Sequence, residues 1–197
     1  MKITLFSALV SACLLLGSTA VAAVTPVPPP GPYSEFPRFE NICEFEIDGL
    51  ALQGDDANDT IYGSPTSDLL LGGGGKDLIF GLERDDCMFG ESGGDKLRGS
   101  AGDDRIRGNS GRDLIRGGSG NDLINTDGAK DSVKAGAGID GIVAHDSGKD
   151  TIDCGPGVDV VTLDPKDRAA DNCEKLFVAL DNNRFREVRR VDRHVVR

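Results

Sequence analysis

A nine-residue repeat limits the folds that this chain can adopt. Residues 99–125 hold three successive units, which read GSAGDDRIR, GNSGRDLIR and GGSGNDLIN. The register runs through ten units, which start at residues 54, 63, 72, 81, 90, 99, 108, 117, 126 and 135. One such unit is too short to bury its own apolar side chain, whereas stacked units can share a core. The repeat therefore predicts a solenoid.

The pattern within the unit divides it into a turn and a strand. Position one is glycine in the first eight units and position four is glycine in six, which indicates turns with positive φ. Position eight is aliphatic or methionine in all ten units. Because side chains alternate along a strand, only the middle residue of a three-residue strand points inward. Position eight is therefore the predicted core, and two units, with two strands and two turns, form one coil. Ten units predict about five coils.

Position six is aspartate in all ten units, and the coil sorts these residues into two columns. One edge stacks Asp59, Asp77, Asp95, Asp113 and Asp131, and the other stacks Asp68, Asp86, Asp104, Asp122 and Asp140. Neighbours in a column would lie about 4.8 Å apart, and their repulsion would amount to roughly 1–4 kcal/mol. A cation between the coils would remove this repulsion. Carboxylates and exposed turn carbonyls together form the all-oxygen environment that Ca²⁺ prefers.

Two units carry a known motif in full. Residues 72–80 (GGGGKDLIF) and 117–125 (GGSGNDLIN) fit G-G-x-G-x-D-x-U-x, and the chain resembles the RTX, or hemolysin-type, calcium-binding repeat family over residues 54–143 and on to residue 162. The resemblance implies an all-β fold, a parallel β-roll (solenoid) of stacked repeats with Ca²⁺ held between turns one coil apart. It implies that the ligands are the ten position-six aspartates and turn carbonyls at Gly72, Gly75, Gly90, Gly93, Gly99, Gly102, Gly108, Gly111, Gly117 and Gly120.

Several turns depart from the motif. Thr66 and Arg84 stand where position four is otherwise glycine, and the last turns contain Thr126, Ala129 and Ala135. We therefore expect the best sites between turns 72–77 and 90–95, between 90–95 and 108–113, and between 99–104 and 117–122. This set of turns predicts about four to six bound ions.

The two ends of the chain have different compositions. Residues 1–23 have a basic start, an apolar stretch and small residues at the end, which predicts a secretory signal peptide. The apolar stretch is short for a membrane anchor, so no transmembrane span is expected; lipid attachment at Cys13 is a less favoured alternative. We divide the rest into a Pro-rich linker (24–41), an N-terminal capping segment (42–53), the β-roll (54–162), a C-terminal cap (163–180) and an Arg-rich tail (181–197).

Four cysteines follow the predicted signal peptide: Cys43, Cys87, Cys154 and Cys173. An even number in a secreted chain indicates two disulfides, with three possible pairings, and free thiols are the alternative. Cys154 with Cys173 is the most local pairing, and it leaves Cys43 with Cys87. Residues 153–157 (DCGPG) and 173–176 (CEKL) resemble the closing cap of some secreted bacterial repeat proteins. This second resemblance supports the Cys154–Cys173 pairing and a disulfide-stapled C-terminal cap.

The outward positions of the predicted strands change character along the chain. Early coils place an apolar patch there, formed by Leu69, Leu71, Leu78, Phe80, Cys87 and Phe89. We expect residues 36–47 to cover it, pinned by a Cys43–Cys87 disulfide. Middle coils instead place basic side chains outward, namely Lys96, Arg98, Arg105, Arg107, Arg112 and Arg116. These form either a contact surface for an acidic glycan or cell-surface component, or a solvated face.

The charge and the remaining motifs restrict the function. The net charge is −11, and no nucleic-acid-binding motif is present, so nucleic acid is not expected as a partner. Residues 90–94 match the hydrolase pattern G-x-S-x-G, but they fall in the repeat register, so no enzymatic activity is expected. We expect a secreted, extracellular protein that folds on Ca²⁺ and has a cell-surface or matrix role, structural or adhesive. The alternative is a polyanion- or glycan-binding module acting through the basic side chains.

Overall fold

The computed structural model describes Cys43, residues 47–180 and residues 184–188. The predicted signal peptide, the Pro-rich linker, most of the N-terminal capping segment before residue 47 and most of the Arg-rich tail lie outside these residues. The domain boundaries assigned from the sequence therefore stay predictions. All regular secondary structure in the described part of the chain is β, with no helix. That part accordingly contains no helix long and apolar enough to cross a membrane.

Eighteen strands follow the repeat closely. Most contain the last three positions of a unit, and several continue into the next turn. Their bounds are β1 Ala51–Gln53, β2 Thr60–Tyr62, β3 Leu69–Leu71, β4 Gly74–Gly75, β5 Leu78–Glu83, β6 Cys87–Phe89, β7 Ser92–Gly93, β8 Lys96–Ala101, β9 Arg105–Arg107, β10 Leu114–Ser119, β11 Leu123–Asn125, β12 Ser132–Ala137, β13 Gly141–Ala144, β14 Thr151–Asp153, β15 Val160–Leu163, β16 Arg168–Ala169, β17 Lys175–Leu180 and β18 Arg184–Val188.

The strands form two long parallel sheets that share one core. The first sheet has nine strands in the order β1-β3-β6-β9-β11-β13-β15-β17-β18, and the second has seven in the order β16-β14-β12-β10-β8-β5-β2. A short pair, β4 and β7, lies in the turns between them. All pairs are parallel except β17 with β18, which is antiparallel and ends the first sheet. The all-β parallel solenoid predicted from the repeat is therefore confirmed.

The strand register shows how the units stack. Ile61 pairs with Ile79 and Leu70 pairs with Met88, so partners lie eighteen residues apart, as two units per coil require. Where the coil includes His145 the offset becomes nineteen, as in the pair Ile142 and Val161, because one extra residue enters there, and in the last parallel pairs it falls to seventeen and then fifteen. Seven strands in the second sheet correspond to about seven coils. This exceeds the five that ten units supply, because β1 and the strands after β13 continue the roll beyond the regular repeats.

The core consists of the position-eight side chains of both sheets. Ile61 is 8% exposed and the others are 1% exposed or less. The set is Ile61, Leu70, Ile79, Met88, Leu97, Ile106, Ile115, Ile124, Val133 and Ile142, and Ile152 and Val161 extend it. Each such side chain contributes about 1.5–3 kcal/mol by leaving water. A single apolar residue per strand is therefore sufficient to build the hydrophobic core, since every coil adds two such residues.

Two disulfides connect the ends of the roll to its body. Cys154 joins Cys173, and Cys43 joins Cys87, which are the two pairs expected from the sequence. Cys87, Cys154 and Cys173 are fully buried. The Cys154–Cys173 bond ties the chain before β17 to the end of β14, so the last parallel strand is anchored covalently.

The outward patches expected from the sequence are divided between the two faces of the roll. Leu69, Leu71 and Phe89 are half-buried on the first sheet, whereas Leu78 and Phe80 are half-buried on the second. The basic side chains are divided likewise: β8 and β10 of the second sheet carry Lys96, Arg98 and Arg116, β9 of the first sheet carries Arg105 and Arg107, and Arg112 stands in a turn. Neither set is one continuous surface. Residues 36–42 and 44–46 lie outside the described chain, so cover of the apolar patch stays a prediction.

Candidate metal centre

Two columns of aspartates run along the two edges of the roll. Each position-six aspartate comes directly before a strand, as Asp77 does before β5 and Asp86 before β6. The nine from Asp68 to Asp140 are 2% exposed or less, while Asp59 at the start is half-exposed. The alternation of units between the two edges produces the two columns predicted from the repeat. Burial of so many carboxylates in one small domain needs a compensating interaction.

One oxygen of each carboxylate has a fixed partner in the neighbouring coil. The backbone N–H of an aspartate donates to Oδ1 of the aspartate one coil further along, at 2.8 or 2.9 Å. The pairs are Asp59–Asp77, Asp68–Asp86, Asp77–Asp95, Asp86–Asp104, Asp95–Asp113, Asp104–Asp122, Asp113–Asp131 and Asp122–Asp140. The sequence suggested that neighbouring carboxylates repel one another directly across the coils. In the structure a backbone hydrogen bond separates each carboxylate from the next. Each is oriented by the backbone of its neighbour.

This series of hydrogen bonds between aspartates continues beyond the regular repeats. Asp131 donates its N–H to Asp150, and Asp150 donates to Asp167, at 2.8 Å in both cases. On the other edge Asp140 donates to Asp159 at 2.9 Å, and Asp159 to Oε2 of Glu174 at 3.1 Å. Asp150, Asp159 and Asp167 were not among the expected ligands. The extra residue near His145 shifts their phase, but Asp150 still precedes a core isoleucine by two positions, a signal that could have identified it.

The other carboxylate oxygen is buried without a hydrogen-bond partner in the described part of the chain. This holds for Oδ2 of Asp77, Asp86, Asp95, Asp104, Asp113, Asp122, Asp131, Asp140 and Asp159. A buried, unpartnered carboxylate oxygen is among the costliest polar groups in a protein interior. The nine Oδ2 atoms are divided between the two columns, and they mark two rows of positions that favour an electropositive group.

Position-one glycines leave the space that these oxygens face. A Cβ placed on Gly72 would lie 2.7 Å from Asp77 Oδ2 and 2.5 Å from the carbonyl oxygen of Gly90, one coil further on. A Cβ on Gly90 would lie 2.7 Å from Asp95 Oδ2 and 2.6 Å from the Gly108 carbonyl. The glycine is therefore required by the close approach of two oxygens. None of the position-one glycines has positive φ, contrary to expectation.

Position-four glycines serve a different purpose, because they do have positive φ. Gly93 has φ +141° and Gly111 has φ +130°, and a Cβ on Gly111 would lie 1.3 Å from the Gly93 carbonyl oxygen. Arg84 (φ +70°) and Ala129 (φ +108°) adopt the same left-handed conformation without being glycine, at a cost of about 1–2 kcal/mol each. Their turns keep the geometry of the repeat, although both depart from the sequence motif.

Position two is also left-handed, which sequence reasoning missed. Leu82, Glu91, Ser100 and Asn109 occupy it with φ between +65° and +94°. The residue types give little indication of this, since most are not glycine. The αL conformation there follows from the register of the coils on either side.

The first two aspartates differ from the rest. Both oxygens of Asp68 have partners, because the backbone N–H groups of Leu50 and Ser64 donate to Oδ1 and Oδ2, and Ser64 Oγ donates to Oδ1 at 2.9 Å. Oδ2 of Asp59 accepts the N–H of Asp55 at 2.9 Å. Thr66 does not take the left-handed conformation that position four has elsewhere. In both of these carboxylates the Oδ2 atom, which is unpartnered in the others, accepts a hydrogen bond.

Burial changes the protonation of the columns. Desolvation, reinforced by neighbouring carboxylates and opposed by the backbone hydrogen bond, raises the pKa of Asp86 and Asp113 to about 7 and of Asp122 and Asp131 to about 8. The same causes raise the pKa of Asp104 to about 7. Protons therefore occupy part of each column near neutral pH when no cation is bound, and a cation would displace them.

The ligand chemistry fits a hard cation. No group of three or more His, Cys, Asp or Glu side chains in the described chain could by itself hold a metal ion. A metal would be bound by Oδ2 of the aspartates and by backbone carbonyls such as those of Gly90 and Gly108. A donor set made only of oxygen fits Ca²⁺, whereas zinc, copper and iron sites generally include imidazole or thiolate.

Fold and site together define a class of protein: a parallel β-solenoid with two lines of buried carboxylates along its edges. Residues 53–86, 89–124 and 107–142 match the family model of the RTX calcium-binding nonapeptide repeat, which comprises four copies. The repeats of this chain belong to that family, and RTX nonapeptide repeats bind Ca²⁺. No curated protein gives a significant match to the chain, and neither does any solved structure.

Proposed function

We propose that this protein is a secreted, non-enzymatic calcium-binding repeat protein whose β-roll is completed by Ca²⁺ between adjacent turns. The observation that carries the proposal is the two rows of buried Oδ2 atoms, nine in all, that have no hydrogen-bond partner in the described part of the chain. We assign the ligands to the position-six aspartates from Asp77 to Asp140, together with carbonyl groups of the glycine turns. Asp59 and Asp68 are weaker candidates, because their second oxygens are already hydrogen-bonded.

Folding and binding are coupled in this scheme. The backbone N–H of each aspartate holds Oδ1 of the next in place, which aims Oδ2 at the space beside the position-one glycine. In the absence of cation, buried charge opposes the stacking of the coils, so the roll is least stable where Ca²⁺ is scarce, as inside cells. When bound, Ca²⁺ supplies the positive charge that buried carboxylates require, and its binding free energy adds to the stability of the fold.

Secretion is consistent with the ends of the chain and with its cysteines. Residues 1–23 have the composition of a cleavable signal peptide. Both disulfides are of the kind that forms and persists in oxidising compartments. A stiff roll outside the cell suits a structural or adhesive role at a surface or in a matrix.

A non-enzymatic role agrees with the positions of the residues that most resemble catalytic ones. Ser92, in the G-x-S-x-G stretch, lies on β7 within a turn and its hydroxyl donates to the Gly73 carbonyl at 3.4 Å. His145 lies at the irregular coil, where its Nδ1 is 3.3 Å from the Thr162 hydroxyl. The two side chains belong to different coils of the roll, so within the described part of the chain His145 does not reach Ser92.

Binding of an acidic glycan is the second candidate function. Basic side chains on the outer faces of the sheets carry it, and they are separate from the aspartate columns. It therefore does not compete with calcium binding for any residue.

A far-UV circular dichroism titration of the secreted chain with Ca²⁺, with Mg²⁺ as the control ion, tests the main proposal. We expect a cooperative gain of β signal with Ca²⁺ alone, because Mg²⁺ demands a tighter octahedral site and retains its water. A chain that is fully folded in chelator and gains no thermal stability from Ca²⁺ would contradict the proposal.

A further inference from the structure

A straight column of side chains crosses the outer face of the second sheet. Tyr62 pairs with Phe80, Phe80 with Arg98, Arg98 with Arg116, and Arg116 with Lys134, each on the next coil of the roll. We call Arg98, Arg116 and Lys134 the basic ladder. Because these residues share one register position on parallel strands, the three cations lie in a line parallel to the axis of the roll.

The first cation of the basic ladder is held in place by aromatic rings. The Tyr62 and Phe80 rings are stacked, with centroids 4.9 Å apart and planes 4° from parallel. The guanidinium carbon of Arg98 lies 5.7 Å from the centroid of the Phe80 ring, which is a cation–π contact. Part of the entropy that a long side chain loses on binding is therefore already lost before any ligand arrives.

The basic ladder is not neutralised by the protein's own acids. All three side chains are exposed, and none of them has a carboxylate within ion-pair distance in the described chain. By contrast, Arg107 on the first sheet is paired with Asp127 at 2.5 Å. On the coil after Lys134 the same register position is Asp153, so the basic ladder ends there. The Asp153 carboxylate accepts a hydrogen bond from Asn172 at 2.7 Å. A protein of net charge −11 thus keeps one face positive.

The dimensions of this face restrict what it can bind. Adjacent coils are about 4.8 Å apart, which is close to the length of one sugar unit in an extended polysaccharide. The strands that carry the basic ladder have outward positions only about 7 Å apart, and the flanking turns carry exposed acids such as Asp56 and Asp103. A wide polyanion such as a nucleic-acid duplex would meet those acids, whereas a single narrow chain would not.

We infer that the outer face of the second sheet binds a linear polysaccharide of uronic acid units, aligned with the axis of the roll. Those carboxylates that project from the sheet-facing side of the extended chain would meet the line of cations at Arg98, Arg116 and Lys134. Guanidinium groups suit this ligand because their planar fork matches the two oxygens of a carboxylate. The interaction involves no position-six aspartate, so it is independent of the calcium ligands and needs only the folded roll.

Calorimetric titration of the calcium-saturated chain with short oligogalacturonate tests the inference. The triple variant Arg98→Gln, Arg116→Gln, Lys134→Gln removes the basic ladder, and the variant Arg105→Gln, Arg112→Gln, Lys149→Gln removes the same charge elsewhere. We expect the ladder variant to lose affinity by about tenfold or more and the control variant to stay within about twofold. Matching far-UV spectra in Ca²⁺ show first that both variants are folded, and the single variant Arg116→Gln repeats the measurement with less disturbance.

Three results would overturn the inference. The first is the absence of binding by the unaltered chain. The second is equal loss in both triple variants, which would indicate diffuse charge instead of a ladder. The third is tighter binding of oligothymidylate of the same charge, which would assign the face to single-stranded nucleic acid. Because calcium-dependent folding is monitored separately, each of these results leaves the proposed calcium function intact.

Discussion

The backbone N–H of Asp95 donates a 2.8 Å hydrogen bond to Oδ1 of Asp113, one coil further along the roll, while Oδ2 of Asp113 is buried without a partner in the described structure. One oxygen therefore links neighbouring coils through a hydrogen bond within the protein, and the other has no partner until a cation binds. This division of the carboxylate allows the same residue to be a structural link and, as proposed above, a metal ligand.

Replacing Asp113 by asparagine should have opposite effects with and without calcium. Asparagine keeps an acceptor for the Asp95 N–H but removes the charge, so calcium affinity should fall by about tenfold or more. In chelator at pH 8 the variant should be as stable as the parent or more stable, since a buried charge has been removed. Calcium titration and urea unfolding in chelator measure the two effects. Asp56→Asn, at an exposed turn position, is the matched control, and equal losses of affinity in both variants would contradict the assignment.

Gly111→Ala should destabilise the roll severely. Its new Cβ would lie 1.3 Å from the Gly93 carbonyl oxygen, and φ at this position is +130°. We expect a loss of about 3 kcal/mol or more, because the neighbouring turn would have to move away. Gly128→Ala is the control, since its Cβ would meet nothing closer than Ser147 Oγ at 3.9 Å. Urea unfolding in Ca²⁺ measures both, and similar midpoints for the two variants would show that the turns do not stack this closely.

Ala129→Gly should stabilise the protein. Ala129 has φ +108°, which glycine tolerates without strain, so the free energy of unfolding should rise by about 0.5–1 kcal/mol after the greater entropy of unfolded glycine is subtracted. Ala137→Gly, on β12 where φ is not positive, should instead lower it by about 0.5–1 kcal/mol. Thermal unfolding in Ca²⁺ compares the two. A loss of stability in both would mean that residue 129 is not left-handed.

Without calcium, the roll should be more stable in mild acid than in mild base. The folded-state pKa is raised to about 7 for Asp86, Asp104 and Asp113 and to about 8 for Asp122 and Asp131, whereas in the unfolded chain it is about 4. The folded state binds more protons, so the contribution of these five carboxyl groups to stability is fully present below about pH 4 and is lost as the pH rises through about 7 to 8. Thermal unfolding of metal-free protein at pH 5 and pH 8 checks the direction. Higher stability at pH 8 would contradict it.

Much of the fold and part of the candidate site could be predicted from local pattern. Position eight is the core because a three-residue strand has one inward side chain, and the register of eighteen residues follows from two strands per coil. The two columns of aspartates also follow from the presence of two units per coil. Asp150 and Asp167 were not predicted as part of the columns, because one extra residue near His145 shifts the period, and Asp159, although it stands at position six where residues 154–162 restore the register, was not counted among the expected ligands.

Other features depend on contacts between coils, which the repeat does not encode. Leu82 and Ser100 are left-handed although their side chains disfavour it, because the stacked turns on either side impose that backbone. The position-one glycines could be recognised by type, but the reason for them, two oxygens from neighbouring coils meeting at one space, is visible only in three dimensions.

The sequence by itself determined the period, the parallel solenoid, the inward apolar row and the two acidic edges, because each depends on alternation and on a repeat length that is read along one strand. Only the tertiary structure decided which carboxylate oxygen is bonded and which is left over, and it divided the basic side chains between two opposite faces. Those outcomes depend on how a residue meets the one eighteen positions away, and that meeting is set by the stacking of the coils.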